Sequence, residues 1–241
     1  MRYAVLSDIH SNWEALEAVL EACEILTPDA YLCVGDLVGY GPDPSRVIAE
    51  VRARDATTVR GNHDHAAFDS GEDRYFNDWA REAIAWTRER LTASERRYLE
   101  DLEFTAVADG ALLVHASPSE PRAWRYIMSA SEAGPEFAMF DESVCFIGHS
   151  HVPMAIVQTD SGASEIPGDE IALEPDRRYI INVGSVGQPR DGDPRAAFGI
   201  FDSDRRAYRL VRTTYDAEET SRKIFDSGLP TFLGERLLTG R

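Results

Sequence analysis

The chain has 241 residues, of which 43% are hydrophobic and 28% are charged, and this length and composition suit one α/β domain. Its formal net charge of -17 disfavours tight, sequence-independent binding to long nucleic acids, because an acidic surface repels their phosphates. No apolar run reaches the roughly 18 to 20 residues of a membrane span, and no signal-peptide pattern opens the chain. Cys23, Cys33 and Cys145 are widely spaced in apolar surroundings, so we expect buried, reduced thiols and a cytoplasmic protein.

The first third of the chain predicts three strand–loop–helix units. Short apolar runs that end in polar loops lie at residues 2–6, 30–34 and 56–59. A capping-box pattern from Ser11 to Glu14 predicts the helix after the first loop, and a second helix is predicted over residues 45–54. Alternating strands and helices imply a parallel sheet with right-handed crossovers. Because ligands bind where the carboxyl ends of such strands meet, we expect the three polar loops to converge.

The rest of the chain predicts a helical segment followed by a strand-rich half. Over residues 72–103, Phe76 and Trp79 begin an aromatic stripe at helical spacing, so we expect core packing or a cap over the site. Asp109-Gly110 is typical of a hairpin turn. Further strands are predicted at residues 144–147, 154–158, 179–183, 196–202 and 207–212, and further helices at 130–140, 216–226 and 230–238. No linker interrupts this pattern, which favours a single domain over residues 1–241.

The histidines have an unusual distribution. Five of the six come directly after a predicted strand, namely His10, His63, His115, His149 and His151. Asp8, Asp36 and Asn62 occupy the same kind of position. A ligand set of nitrogen and oxygen atoms without thiolate suits manganese, iron, zinc or cobalt and argues against a structural zinc site. Since the Asp36 carboxylate has two oxygens that can bridge two ions, the loops together predict a two-metal site.

These loops resemble a known family in their content and in their order. They are similar to the signature blocks of the calcineurin-like metallophosphoesterase superfamily: Asp8-Ile9-His10, Gly35-Asp36, Gly61-Asn62-His63-Asp64, His115 and Gly148-His149-Ser150-His151. The Gly39–Pro42 loop and the Asn182–Pro189 segment resemble its small bacterial and archaeal phosphodiesterase branch. Two positions depart from the pattern: Ala116, where a glycine commonly follows the metal histidine, and Val183, where proline often stands. Neither departure removes a ligand.

The resemblance implies an α/β fold, a four-layer αββα sandwich of two mixed sheets flanked by helices. It also implies two divalent metal ions, with manganese as the first choice and iron, zinc, cobalt or nickel as alternatives. The first ion would be held by Asp8, His10, Asp36 and His151, and the second by Asp36, Asn62, His115 and His149. His63 matches the catalytic histidine of the family, and Asp64 matches the carboxylate that orients it.

The expected reaction is hydrolysis of a phosphate ester by a hydroxide that bridges two metals, with His63 as proton donor and Asp64 fixing its tautomer. Besides Asn62, four side chains are candidates for substrate contact: Arg60, Arg190, Tyr40 and Tyr126. A phosphodiesterase on small nucleotide-like substrates is favoured over a phosphomonoesterase or protein phosphatase. A non-catalytic scaffold with this fold is the third alternative. We expect no membrane or long nucleic acid as partner, and the sequence leaves a homo-oligomer open.

Overall fold

The computed structural model describes all 241 residues and contains the three expected strand–loop–helix units at its start. They comprise β1 (Arg2–Leu6), α1 (Trp13–Leu26), β2 (Ala30–Cys33), α2 (Pro44–Ala53), β3 (Thr57–Thr58) and α3 (Asn62–Ala66). The cap of α1 lies one residue later than predicted. Ser11 has a left-handed backbone, and Asn12 accepts the amide hydrogen of Ala15 at 3.1 Å instead.

The segment over residues 72–103 is helical, as predicted. A 3₁₀ turn (Glu72–Tyr75) leads into α4 (Asp78–Arg90) and α5 (Ala93–Asp101). The predicted capping box of α5 is present, since the amide of Thr92 donates to Glu95 Oε2 at 2.7 Å. The expected hairpin follows, with β4 (Thr105–Ala108) and β5 (Ala111–Val114) on either side of Asp109-Gly110.

The second half contains seven further strands and three further helices. They are α6 (Ala130–Glu136), β6 (Val144–Ile147), β7 (Met154–Thr159), β8 (Gly162–Ile166), β9 (Glu170–Ala172), β10 (Tyr179–Asn182), β11 (Ala196–Asp202), β12 (Ala207–Thr213), α7 (Ala217–Asp226) and α8 (Thr231–Glu235). The sequence did not predict β8 and β9. Both are edge strands with mostly exposed side chains. Strand β8 lacks a buried apolar face, and β9 has only three residues, too few to show a period in the sequence.

The strands form two six-stranded sheets. Their orders are β3-β2-β1-β11-β12-β9 and β4-β5-β6-β10-β7-β8. In the first sheet, β1, β2 and β3 are parallel and the remaining strands are antiparallel. In the second sheet, β5, β6 and β10 are parallel and the others are antiparallel. The expectation of two mixed sheets is confirmed.

Three apolar layers hold the elements together. Strand β1 shows the principle, because Val5 packs between the two sheets while Ala4 and Leu6 pack against the helices on the outer face. Leu16 of α1 belongs to that outer layer, and Phe137 beyond α6 belongs to the corresponding layer behind the second sheet. The order helix, sheet, sheet, helix is the predicted αββα sandwich.

Two further observations concern the sequence-based expectations. All three cysteines, Cys23, Cys33 and Cys145, are buried free thiols, which confirms their prediction as small buried residues without disulfides. No helix combines the length and the apolar character that a membrane crossing requires.

Candidate metal centre

The polar loops converge at one edge of the sandwich, where five parallel strands of the two sheets end. The side chains that follow these strands are Asp8 and His10 after β1, Asp36 after β2, Asn62 and His63 after β3, His115 after β5, and His149 and His151 after β6. Three groups have ligand atoms within 4.8 Å of one another: Asp8 with His10 and His151, His10 with Asp36 and His63, and Asp8 with Asp36 and His115. The sequence therefore predicted this convergence correctly.

Asp36 lies between two of the histidines. Its Oδ2 atom is 3.3 Å from His115 Nε2 and 3.6 Å from His10 Nε2. Asp8 has a similar relation to His151, with 3.2 Å between Asp8 Oδ1 and His151 Nε2. A carboxylate between two imidazoles from different strands is the arrangement that a bridging ligand needs.

Backbone carbonyls fix the orientation of three of the imidazoles. His10 donates from Nδ1 to the carbonyl of Val38 at 3.0 Å, His115 to that of Val34 at 2.7 Å, and His151 to that of Gln188 at 2.6 Å. A carbonyl can only accept, so each Nδ1 carries a hydrogen, and in a neutral ring Nε2 then keeps its lone pair. The lone pairs of His10 and His151 face each other at 3.1 Å, an unfavourable contact unless a cation lies beside them.

Asp8 supplies a second test of whether these residues fit a metal ion. Its Oδ2 atom accepts from the Ser7 hydroxyl at 2.6 Å and from the His149 amide at 3.0 Å. Its Oδ1 atom is buried and has no hydrogen-bond partner. A buried carboxylate oxygen without a donor costs free energy that a divalent cation would recover. The types of donor atom, the unpaired imidazole lone pairs and this carboxylate oxygen all fit a bound metal ion.

The protonation states also suit metal binding. Burial opposes ionisation of Asp8 and Asp36, but the surrounding histidines outweigh it and hold both carboxyl pKa values below their usual range. Burial and the neighbouring charge of His115 lower the pKa of His149 to about 4. Burial and Arg190 lower that of His151 to about 3. Charged carboxylates and neutral imidazoles are the forms that ligate metals.

His115 behaves differently because it faces both carboxylates, with its Nε2 atom 3.3 Å from Asp36 Oδ2 and 4.0 Å from Asp8 Oδ1. Burial opposes its charge, yet Asp36 and Asp8 together raise its pKa to about 9. In the metal-free protein His115 is thus the histidine that neutralises part of the carboxylate charge. A bound cation would replace that proton.

The backbone around the ligands is strained. Five of the seven candidate ligands have left-handed φ angles between 50° and 66°, namely Asp8, His10, Asp36, His149 and His151. Such conformations cost about 1–3 kcal/mol each and persist only where the surroundings enforce them. Gly61 and Gly148 allow the backbone to approach these carboxylates closely. A Cβ atom on Gly61 would overlap the Asp36 carboxylate, and one on Gly148 would overlap the Asp8 carboxylate.

Asn62 and His149, the two candidate ligands outside the three close groups, lie at different distances from His115. Asn62 Oδ1 lies 3.1 Å from His115 Nε2. The ring of His149 is 5.0 Å from that of His115 and lies outside the three close groups. Its Nε2 donates to the carbonyl of Trp124 at 2.9 Å, which leaves Nδ1 as the nitrogen available to a metal.

His63 lies beside the ligands in an aromatic enclosure. Its ring centroid is 4.4 Å from those of Tyr40 and Phe76 and 4.9 Å from that of His10. The Nδ1 atom is buried next to Gly39 without a hydrogen-bond partner, so Nε2 is the nitrogen left for a ligand. Burial lowers the pKa of His63 well below its usual value, which makes the imidazole neutral in the free protein.

The predicted contact between Asp64 and the His63 ring is wrong. The Asp64 carboxylate instead accepts four backbone amide hydrogens, from Gly61 at 3.1 Å, Asp36 at 2.8 Å, Leu37 at 2.8 Å and Val38 at 3.2 Å. The physical reason is that Gly61–Asp64 forms the first turn of α3, where the third residue reaches back to the cap. Asp64 therefore ties α3 to the loop that carries Asp36.

Comparison with known proteins identifies the family. The sequence model of the calcineurin-like phosphoesterase superfamily domain matches residues 1–206. The chain belongs to this superfamily. A metallophosphoesterase from Sphaerobacter thermophilus has a crystal structure that is 38% identical, covers 100% of both chains and superposes with a TM-score of 0.89.

Two sequence relatives were also found. An uncharacterized protein of Methanocaldococcus jannaschii is 36% identical over 99% of this chain and 98% of its own length. Serine/threonine-protein phosphatase 1 of Salmonella typhimurium is 33% identical over 99 residues, which is 41% of this chain and 45% of the phosphatase. The resemblance on which the sequence-based expectations rested is thus confirmed at the level of the superfamily.

The Asn182–Pro189 segment, which resembles the small bacterial and archaeal phosphodiesterase branch, supports the metal loops from behind. Ser185 donates its hydroxyl to the carbonyl of Asp8 at 2.8 Å, and the amide of Gly187 donates to the same carbonyl at 2.9 Å. Asn182 Nδ2 donates to the carbonyl of Gly148 at 2.6 Å. The segment therefore joins the loops of the two sheets, and buried Val183 occupies the position of the usual proline without disturbing them.

A cleft of about 590 Å³ opens over the ligands. Asp36, Asn62, His63, His149 and His151 line its floor, and its rim includes Tyr40, Phe76, Trp124, Tyr126, Arg74, Arg122 and Arg190. Three of the predicted substrate contacts, Tyr40, Tyr126 and Arg190, are therefore in the cleft. Tyr126 stacks on His149 with 4.1 Å between ring centroids and an interplanar angle of 17°.

Arg60 is not in the cleft, and its prediction as a substrate contact is wrong. Its guanidinium donates to the backbone carbonyls of Glu100 and Leu102 at the end of α5 and lies 4.6 Å from the centre of the Phe104 ring. Free carbonyls at a helix C-terminus attract a cation, so this arginine closes the helix.

Sequence reasoning also missed part of the rim. Arg74, Arg122 and Trp124 belong to 3₁₀ and loop segments that carry no recognisable motif. The aromatic stripe did indicate one rim residue, because the expected cap over the site corresponds to Phe76 against His63.

Proposed function

We propose that the protein is a binuclear, metal-dependent phosphodiesterase that acts on small nucleotide-like phosphate esters. The observation that carries this proposal is the buried set of carboxylates and imidazole lone pairs around Asp36, with His63 beside it in the same cleft. Asp8, His10, Asp36 and His151 would hold one ion, and Asp36, Asn62, His115 and His149 the other. Divalent ions held there would supply positive charge for the phosphoryl oxygens and acidify a water molecule. Manganese is the first choice that the resemblance implies, and iron, zinc, cobalt or nickel are the alternatives.

His63 supplies the proton for the leaving group. It is neutral in the free protein because burial lowers its pKa. A phosphate anion in the cleft raises that pKa, so the imidazole takes up a proton and passes it from Nε2 to the departing alkoxide. Tyr40 and Phe76 exclude water from the ring and hold it in place.

The shape of the cleft supports a diester as substrate. A volume of about 590 Å³ exceeds the need of one phosphoryl group and leaves room for two ester arms. Tyr126 is 54% exposed and presents a flat ring at the rim, which suits stacking of a nucleobase. These features favour a small nucleotide-like diester.

A phosphomonoesterase is the second candidate. Arg190 lies in the cleft and would pair with the additional charge of a monoester, and one relative is named a serine/threonine-protein phosphatase. A non-catalytic scaffold is disfavoured, since every ligand position and His63 carry functional side chains at the same edge.

Hydrolysis of two matched substrates by the Mn²⁺-loaded protein tests the proposal. We expect kcat/KM for bis(p-nitrophenyl) phosphate to exceed that for p-nitrophenyl phosphate by about tenfold or more, and removal of metal with a chelator to abolish both activities. A higher value for the monoester would overturn the diester preference. Failure to hydrolyse either ester would overturn the enzymatic function.

A further inference from the structure

Two arginines share one side-chain acceptor next to the cleft. Arg190 donates from Nη2 to Gln188 Oε1 at 2.7 Å, and Arg236 donates from Nη1 to the same oxygen at 3.0 Å. Both guanidinium groups therefore lie around one neutral amide oxygen. Two like charges at such short range repel each other, and a single neutral acceptor does little to offset that repulsion.

Neither arginine has an aspartate or glutamate partner, although Arg236 Nε donates to the backbone oxygen of Arg241. Ion pairs within 4.0 Å are numerous elsewhere in the chain, as for Arg212 with Asp191 and Arg222 with Glu219, but none involves Arg190 or Arg236. This is unexpected in a protein with a net charge of -17. Burial and the neighbouring Arg190 lower the pKa of Arg236 to about 10, as expected for a partly desolvated cation beside another one. The pair therefore lacks an acidic side chain that would balance its two charges.

The C-terminal residues fix the position of Arg236 relative to Arg190. Leu233 and Leu237 pack against Tyr40 in one apolar cluster, which fixes the segment that carries Arg236. The amide of Gly192 donates to the carbonyl of Gly240 at 2.8 Å, so the loop after Arg190 is bonded directly to the C-terminal residues. Leu233, Arg236, Leu237 and Gly240 lie beyond residue 206, where the match to the superfamily domain ends.

The pair lies one aromatic ring away from the metal ligands. Arg190 lines the cleft, and its Cζ atom is 5.6 Å from the centre of the Tyr40 ring. The centre of the same ring is 4.6 Å from that of His10 and 4.4 Å from that of His63. An anion on Arg190 would thus be close to a phosphoryl group at the metal ligands without occupying the same position.

We infer that Arg190, positioned and reinforced by Arg236 through Gln188, binds a second phosphate group of the substrate. The substrate would then be a nucleotide that carries a further phosphate besides the one that is hydrolysed. This inference rests on the proposed function. Arg190 makes the direct contact because its Nη1 group forms no hydrogen bond within the protein, and Arg236 acts as a positioning residue.

The number of phosphates on an inhibitor tests the inference. AMP, ADP and ATP would be compared as competitors of bis(p-nitrophenyl) phosphate hydrolysis, with Mn²⁺ kept in excess of nucleotide. We expect ADP and ATP to bind about tenfold or more tightly than AMP, and Arg236→Met to reduce this ratio to near one. Arg236→Lys should restore most of the ratio, because it keeps the charge beside Gln188. Arg222→Met, on the exposed face of α7, is the matched control and should keep the wild-type ratio.

A second variant keeps the test decisive if Arg236→Met fails to fold. Gln188→Glu places a carboxylate between the two guanidinium groups and should lower the ADP to AMP preference by a similar factor. An unchanged preference in both variants would overturn the inference. Calorimetric titration of the Mn²⁺-loaded protein with the same nucleotides measures the preference without turnover, so failure of the inference is distinguishable from failure of the proposed function.

Discussion

The floor and the rim of the cleft are built by different means. Floor residues such as Asp36 and His151 follow the ends of parallel strands, are almost fully buried and are held by backbone groups. Rim residues such as Trp124 and Tyr126 belong to a 3₁₀ and loop segment, and Tyr126 is 54% exposed. The floor residues are held by many contacts and determine the chemistry. The rim residues are held by few contacts, so substitutions there can alter substrate preference at little cost to the stability of the fold.

The largest effect should come from the centre of the floor. Asp36→Asn removes the charge shared by His10 and His115, and we expect metal content to fall below one ion per chain and kcat to fall by more than about 10³. Elemental analysis together with turnover of bis(p-nitrophenyl) phosphate measures both. Asp226→Asn, on the surface of α7, is the control. Full metal content in Asp36→Asn would contradict the bridging role.

His63→Gln should separate chemistry from metal binding. His63 is not one of the seven candidate ligands, so we expect both ions to be retained while kcat falls by about 10²–10⁴. Because glutamine cannot supply a proton near neutral pH, the loss should be greatest for esters with poor leaving groups. Equal losses for nitrophenyl and alkyl esters would show that His63 is not the proton donor.

Asp64→Asn tests how much the hydrogen bonds that Asp64 accepts contribute to folding and to metal binding. The neutral amide is a weaker acceptor for the four backbone amides, so we expect about 2–4 kcal/mol of unfolding free energy to be lost and metal affinity to drop about tenfold. Urea unfolding and metal titration give the two values. A loss of turnover with normal stability and metal affinity would instead support a direct orienting role toward His63.

The free energy of unfolding of the metal-free protein should depend on pH through three histidines of the metal centre. His115, with its pKa raised to about 9, stabilises the folded state below pH 6.5, and this contribution is lost as the pH rises toward 9. His149 and His151 stay neutral when folded down to about pH 4 and 3, so protonation of the unfolded state lowers stability as pH falls below 6.5.

Chelator-treated protein should therefore be most stable near pH 6.5, which is about the pKa of histidine in the unfolded chain. Thermal unfolding between pH 4 and 9 would measure this profile. Bound metal should flatten the alkaline side, since the cation replaces the proton on His115. A metal-free profile that continues to rise above pH 8 would contradict the assignment.

The smallest effect belongs to the rim. Tyr126→Ala removes a ring that stacks on His149 and faces the cleft, and we expect KM for a nucleotide diester to rise about tenfold with kcat within about twofold. A dialkyl phosphate without a base should show no change and serves as the control substrate. If KM rises equally for both substrates, the ring supports His149 and does not bind a base.

The same contrast explains what the sequence could and could not predict. Asp8, Asp36 and His149 each follow an apolar run, and the topology of parallel strands brings such positions together without knowledge of side-chain packing. Trp124 at the rim and Arg236 beside Gln188 are brought to the site by distant segments of the chain, and no local pattern marks them. Asp64 was assigned correctly to the neighbourhood of His63 but to the wrong partner, because a polar turn and the first turn of a short helix look alike in sequence.

The contacts that close the floor connect the two ends of the chain, which has a consequence for how the protein is made. Strand β1 pairs with residues 199–202 of β11, and the loop that carries Asp8 is held by Ser185 and Gly187. Long-range pairings of this kind form late in folding and after most of the chain has been synthesised. The ribosome-bound first half therefore presents Asp8, His10 and Asp36 without the support that shapes them. We expect ion uptake to follow release of the complete chain, so that the cell's supply of metal at that moment decides which ions the enzyme carries.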